Sequence, residues 1–373
     1  MIYFDNSATS LTRPPEVGEA LLYALNHFGN AGRSFYDAVM EANRAIYGAR
    51  METAALIGLN DPLQVAFTSS ATESLNLVIQ SLVKPQDGVI TSITEHNAVL
   101  RPLYLRGCPL RFIEADSKGR LALDNLSSLL TPQTRFLICN QASNVTGNVN
   151  DTGTLLRFCR EQGLTLILDI AQTFGSYEVN IQDADIFCFT GHKGLLGPQG
   201  TGGIIVNGDF PFTLVKTGGA GSGSFNRFQD QAMPDIFEAG TLNSPGLYAM
   251  SKGIRHIRDK GVRTIHEEEM RLTRKFHEGI RDIPGITIYG DFSSDDRLAV
   301  VSLKLKDWDS ADLAAKLWDD YAIATRAGAH CAPLLHRHFG TEVQGMVRFS
   351  FSAFNTEDEI EAGIRALERI SRS

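Results

Sequence analysis

At 373 residues the chain exceeds what one hydrophobic core usually organises, so two domains, or one large α/β unit with an appendage, are expected. Hydrophobic residues at 43% beside charged ones at 21% fit an ordinary globular protein, and a net charge of −8 offers no basic field for a nucleic-acid backbone. Met1-Ile2-Tyr3-Phe4-Asp5 puts an acid where an export signal is basic, and no apolar run reaches the roughly 18 residues that span a bilayer, so a cytoplasmic protein with no nucleic-acid or membrane partner is expected.

In chain order, short apolar runs predict strands at 64–67, 88–90, 110–113, 135–139, 164–168, 185–189 and 203–206. Helical patterns lie between several of them, at 73–82 with Leu75, Leu77, Val78 and Leu82, and at 151–162. Continuous apolar strands alternating with helices predict an α/β fold with a large, mainly parallel, seven-stranded sheet covered on both faces. Ligand sites in such sheets form at the carboxyl ends of the strands. The stretch from Gly218 to Ser224 predicts a mobile surface loop, and it fails the GxGxxG dinucleotide template because Ser224 holds the sixth position counted from Gly219. After Pro245 a long helical region runs to about Ile280, followed by strands at 298–303 and 347–351 and helices at 310–321 and 356–370, an α+β second domain.

Lys193 sits in Phe189-Thr190-Gly191-His192-Lys193-Gly194, and Asp169 ends the apolar run Leu166-Ile167-Leu168. A lysine in a glycine-flanked turn and an acid at a strand end are what pyridoxal phosphate requires. The lysine forms a Schiff base with the cofactor aldehyde, and the acid keeps the pyridine nitrogen protonated so that the ring accepts electrons. A plain helix-capping aspartate is the alternative for Asp169, with Gln172 then only a surface side chain. Thr68-Ser69-Ser70-Ala71-Thr72-Glu73 joins a predicted strand to a helix, and its free amides at the positive end of the helix suit a phosphate, or simply a well-capped helix. Glu95-His96 follows another strand and brings an imidazole to the same edge, where it could stack on a ring or transfer protons.

Five cysteines without CxxC spacing suggest neither a disulfide framework nor a zinc ribbon. Cys108, Cys139, Cys159 and Cys188 fall in or beside apolar runs and read as buried small hydrophobes. Cys331 lies instead in Arg326-Ala327-Gly328-Ala329-His330-Cys331-Ala332, where Arg326 and His330 would favour the thiolate. His330, Cys331, His336 and His338 leave a zinc reading open, but no matched second ligand pair accompanies them. Arg348 begins a predicted strand, and its planar fork suits a carboxylate.

These motifs together resemble the class V aminotransferase family of pyridoxal phosphate enzymes, and within it the cysteine desulfurases and selenocysteine lyases of the SUF-like group. The resemblance rests on Tyr3 to Ala8, Thr94-Glu95-His96, Ala142 to Gly147, Asp169 to Gln172, Gly191-His192-Lys193, Phe237 to Thr241 and Arg326 to Cys331. It implies fold type I, with residues 15–250 as the large cofactor-binding domain and residues 1–14 and 251–373 as a small domain carrying the Cys331 loop. By the same resemblance Lys193 holds the cofactor and moves protons, Asp169 faces the ring nitrogen, Gln172 the ring hydroxyl, and His96 stacks on the ring. Ala71, Thr72, Thr190 and His192 bind the phosphate, and Thr241 reaches the cofactor of a second copy in a homodimer. Asn144 lies near ring and substrate, Arg348 holds the substrate carboxylate, and Arg326 stands by the cysteine loop. Cys331 takes the sulfur of L-cysteine as a persulfide, releasing alanine and passing sulfur to an acceptor protein. A selenocysteine lyase or another β-eliminating enzyme is the alternative, and a non-catalytic regulatory homologue a third. The chain lacks the serine-rich cysteine loop of the other desulfurase group, and residues 332–338 match no acceptor-docking surface.

Overall fold

The computed structural model describes residues 1–32, 34–219 and 225–372. In order the chain forms β1 (Ile2–Tyr3), α1 (Pro15–His27), α2 (Asp37–Ile57), β2 (Val65–Thr68), α3 (Ala71–Leu82), β3 (Gly88–Ser92), α4 (Asn97–Arg106), β4 (Leu110–Ile113) and β5 (Thr134–Asn140). Next come α5 (Thr152–Gln162), β6 (Thr165–Asp169), β7 (Ile186–Thr190), β8 (Gly202–Val206), α6 (Ser244–Lys260), α7 (Val262–Ile280), β9 (Ile286–Tyr289) and β10 (Val300–Leu305). The last elements are α8 (Ser310–Tyr321), β11 (Ile323–Ala324), β12 (Arg326–Gly328), α9 (Pro333–His338), β13 (Met346–Ser350) and α10 (Glu357–Ser371).

Seven strands make one sheet in the order β2-β8-β7-β6-β5-β3-β4. The contacts between β4, β3, β5, β6 and β7 are all parallel, while β8 runs against both β7 and β2. The exception has a local cause: the connection from β7 to β8 contains no helix, and a parallel return needs a crossover. Leu137, Leu168 and Phe187 pack into one core, and Ile138, Ile167 and Ile186 into another on the opposite face, so the middles of these strands are apolar on both sides. The four cysteines expected to be buried are buried in these two cores.

A second, four-stranded antiparallel sheet runs β12-β13-β10-β9. The start of the chain belongs beside it, since Ile2 pairs with Ile323, Tyr3 with Ala324, and Asp5 bridges to Ser350. The predicted long helix after Pro245 is two helices, broken at Gly261, whose φ of 84° is a backbone conformation that side chains disfavour. Of the predicted glycine-rich loop, residues 220–224 lie outside the described residues. Among the described residues no helix is long and apolar enough to cross a membrane.

Candidate active site

The carboxyl ends of β2, β3, β5, β6 and β7 lie at one edge of the large sheet, around a cavity of about 530 Å³. Asp169, Gln172, Thr190, His192 and Lys193 line it from the β6 and β7 side. Ala71, Thr72, His96 and Asn144 line it from α3, α4 and the turn after β5. The Lys193 turn is tight because Gly194 leaves no room for a side chain: a Cβ there would stand 2.5 Å from the Phe174 carbonyl oxygen. Residues near the start of the chain hold the turn from outside. The Ser10 amide donates to the His192 carbonyl at 3.0 Å, and the Ser10 hydroxyl donates to the Lys193 carbonyl at 2.9 Å.

Asp169 is buried, with its Oδ1 accepting the Ala171 amide at 2.9 Å. Burial pushes its carboxyl up, and the Ala171 N–H and the charge of Lys193 hold it down. Burial lowers Lys193 to about 8, with Asp169 opposing and Arg348 and Arg326 assisting. His96 caps α4, its Nδ1 accepting the Ala98 amide at 3.0 Å, so the ring proton resides on Nε2. Desolvation first and the nearby cations next lower His96 to about 4, and burial lowers His192 likewise to about 4. Both rings are therefore neutral near pH 7. The α3 amides at Ala71 and Thr72 are first-turn donors without internal acceptors. The Ser70 hydroxyl caps Glu73, and Glu73 in turn accepts from the Ser69 amide at 2.7 Å and from Lys216 at 3.0 Å.

The donor set suits pyridoxal phosphate. A buried carboxylate matches a ring nitrogen and a helix N-terminus matches a phosphate, while Asn144 Oδ1 and His192 Nδ1 are buried without a partner on the walls of the same cavity.

Arg326, Arg348 and Cys331 do not line this cavity; they stand beside it. Arg326 and Arg348 are directly opposite each other on β12 and β13, a like-charge pair that is unfavourable alone. Asp5 compensates, at 3.0 Å from Arg348 and 4.0 Å from Arg326. The sequence pattern gives Asp5 no individual role. Arg348 also donates to the Asn144 carbonyl at 3.1 Å, which leaves its Nε buried without a partner.

Cys331 is exposed on the loop between β12 and α9. Its carbonyl accepts the Asn97 amide at 2.7 Å, one residue after His96, and the His330 carbonyl accepts from Asn144 Nδ2 at 2.7 Å. Two bonds thus join the loop to the cavity wall. His330 and Cys331 both have left-handed backbones, with φ of 49° and 57°, a conformation costing roughly 1–3 kcal/mol per non-glycine residue unless its surroundings enforce it. The expectation that His330 charges the thiolate's surroundings is corrected: burial, with Arg348 adding to it, lowers the ring to about 3, so it is neutral. His338 turns away to the Asp116 carbonyl at 2.9 Å, so the four residues of the zinc reading are not gathered. Thr241 lines a separate depression with Tyr47, Arg50 and Glu238, away from this chain's own cavity.

Comparison with known proteins agrees with this geometry. A probable cysteine desulfurase of Pyrococcus abyssi is 31% identical, covering 100% of this chain and 95% of its own. A cysteine desulfurase of Cronobacter sakazakii is 30% identical over 100% of this chain and 94% of its own. The apo structure of a cysteine desulfurase from Thermococcus onnurineus superposes with a TM-score of 0.93 at 31% identity, covering 100% of this chain and 94% of that one. The family described as Aminotransferase class-V matches residues 2–362, and the chain belongs to that family.

Proposed function

We propose that the protein is a pyridoxal phosphate-dependent cysteine desulfurase that converts L-cysteine to L-alanine and carries the sulfur on Cys331. The observation that supports this most is the placing of Lys193 and Asp169 on one cavity whose wall is bonded, through Asn144 and Asn97, to the loop of an exposed cysteine. Bound pyridoxal phosphate supplies a ring that accepts electrons from the substrate carbon.

Asp169 would face the ring nitrogen, the α3 amides with Thr190 and His192 would hold the phosphate, Gln172 would meet the ring hydroxyl, and His96 would stack on the ring. At an effective dielectric near 20, a carboxylate about 4 Å from the ring cation contributes roughly 4 kcal/mol. Lys193 lies low enough, at about 8, to give and take protons near neutrality. The substrate carboxylate would share the Arg348 fork with Asp5, using the Nε that has no partner, with Arg326 alongside. The Cys331 thiolate then attacks the substrate sulfur. An S–S bond forms as the carbon–sulfur bond breaks, the bonding pair leaves with the three-carbon fragment, and protonation completes alanine.

The same reading divides the chain into residues 15–250 as the cofactor-bearing unit and residues 1–14 with 251–373 as the unit bearing Cys331. It takes the protein as a homodimer: Leu22, Leu25, Phe35, Tyr36, Tyr47 and Met51 expose large apolar side chains, and Thr241 is turned from its own cavity as a residue serving a second copy would be. Five unpaired cysteines suit the reducing cytoplasm. The test measures alanine from cysteine and from selenocysteine side by side, together with sedimentation. Cys331→Ala should keep the cofactor absorbance yet lose alanine formation from cysteine by about 100-fold or more. Undiminished alanine from cysteine would overturn the persulfide route in favour of β-elimination.

A further inference from the structure

We infer that His336 is a positioning residue for Cys331, because a hydrogen-bond chain from Thr341 through His336 and His330 to the Arg326 carbonyl holds the left-handed His330-Cys331 pair in place. This rests on the reading of Cys331 as the sulfur-accepting nucleophile.

The bonds of the chain run in one consistent direction. A carbonyl can only accept, so His330 Nε2, 3.0 Å from the Arg326 carbonyl oxygen, carries the proton. The ring is buried and neutral, which leaves its Nδ1 bare. That nitrogen lies 3.4 Å from His336 Nε2, so His336 is the donor there. His336, itself 1% exposed and lowered by burial, then has a bare Nδ1, which accepts the Thr341 hydroxyl at 2.8 Å. Thr341 has one proton and spends it on the ring, since the His336 carbonyl is farther, at 3.3 Å. The 3.4 Å approach of the two rings selects this assignment, because a proton on His336 Nδ1 instead would leave two bare nitrogens facing each other.

The chain restrains what the backbone bonds leave free. The Ala332 amide closes the turn on the Ala329 carbonyl at 2.9 Å, and Asn144 and Asn97 fix the carbonyls of His330 and Cys331, but these bonds leave the turn free to tilt as a unit against β12 and α9. Tying the His330 side chain to the β12 backbone on one side and to α9 on the other removes that freedom. The rings add contact, stacked at 5.6 Å and 26°. Metal binding is not their purpose, because His338 points elsewhere and among the described residues no three candidate ligands meet.

Holoenzyme variants separate positioning from simple packing. In His336→Gln the side-chain amide can still donate to His330 Nδ1, whereas His336→Leu fills the space without a donor. His336→Leu should lower kcat for alanine from cysteine by about tenfold or more with KM within about twofold, and His336→Gln should recover to within about threefold of the parent. Hydrogen exchange of the peptide around residues 329–332, read by mass spectrometry, should quicken in His336→Leu and not in His336→Gln. Solvent-deuterium exchange at Cα of L-alanine reports Lys193 without Cys331, and should be unchanged in both. Equal losses in the two variants, or parental turnover and exchange in His336→Leu, would overturn the assignment. If His336→Leu does not fold, Thr341→Val carries the same test, with quickened loop exchange and a several-fold lower kcat expected and parental values overturning it. Cys331→Ala, run in parallel, distinguishes the failures: full activity there refutes the nucleophile itself, while its loss beside an unaffected His336→Leu refutes only the relay.

Discussion

Asp169 stands where a strand of apolar residues runs out, and this makes it readable: an acid closing Leu166-Ile167-Leu168 has no reason to be there for packing. Asp169→Ala should keep the fold, because the strand end carries only one side-chain bond, to the Ala171 amide. Cysteine turnover should fall by about 100-fold or more, and turnover near the parental rate with cofactor bound would remove Asp169 from its role. Lys193, His96 and Asn144 are readable for the same reason, as polar residues fixed at strand ends or in tight turns. Asp5 is not. Its partner Arg348 is 343 positions away, and no local pattern announces that two opposed arginines need an acid between them. The His336 relay is hidden likewise, because spacing suggests a metal where geometry gives two neutral rings.

At the level of elements, strands end later than apolarity implies. Runs read at 135–139, 164–168 and 185–189 extend to Asn140, Asp169 and Thr190, because the ladder is made by backbone and accepts a polar side chain at its functional end. The helices α1, α2 and α4 carry weaker sequence signals, α4 with Pro102 inside it. The Phe237 to Thr241 segment owes its place to a buried pair. Glu238 meets Arg50 at 2.5 Å and accepts the Phe67 amide at 2.6 Å, both side chains nearly inaccessible. Glu238→Ala would leave the Arg50 cation buried and should cost about 3–5 kcal/mol in denaturant unfolding. A loss below about 1 kcal/mol would mean that the pair is open to solvent.

Across the whole molecule, a second cavity of about 690 Å³ lies where α6, α7, the turn after β13 and the start of the chain meet, and it holds Glu269. Burial pushes this carboxyl from 4.5 up to about 8, relieved only by the Ala353 amide. A group raised in the fold stabilises fully below its unfolded value and loses that contribution as pH rises through the folded one. Glu269 therefore weakens the protein between about pH 4.5 and 8, by a few kcal/mol at most. Glu269→Gln should match the parent in thermal unfolding near pH 5 and exceed it near pH 9. Parallel melting curves across that range would show that the acid is not the cause.

The pairing of Ile2 with Ile323 has a consequence for synthesis on the ribosome. The strand that anchors the first residues is made more than three hundred residues after them. At roughly 5–20 residues per second, that is a wait of tens of seconds. During it the large sheet can form, but Ile2 and Tyr3 have no strand to pair with. The cavity walls, drawn from residues 70–193, can thus form early, whereas the Asp5–Arg348 pair and the Cys331 loop beside them are completed only in the nearly finished chain.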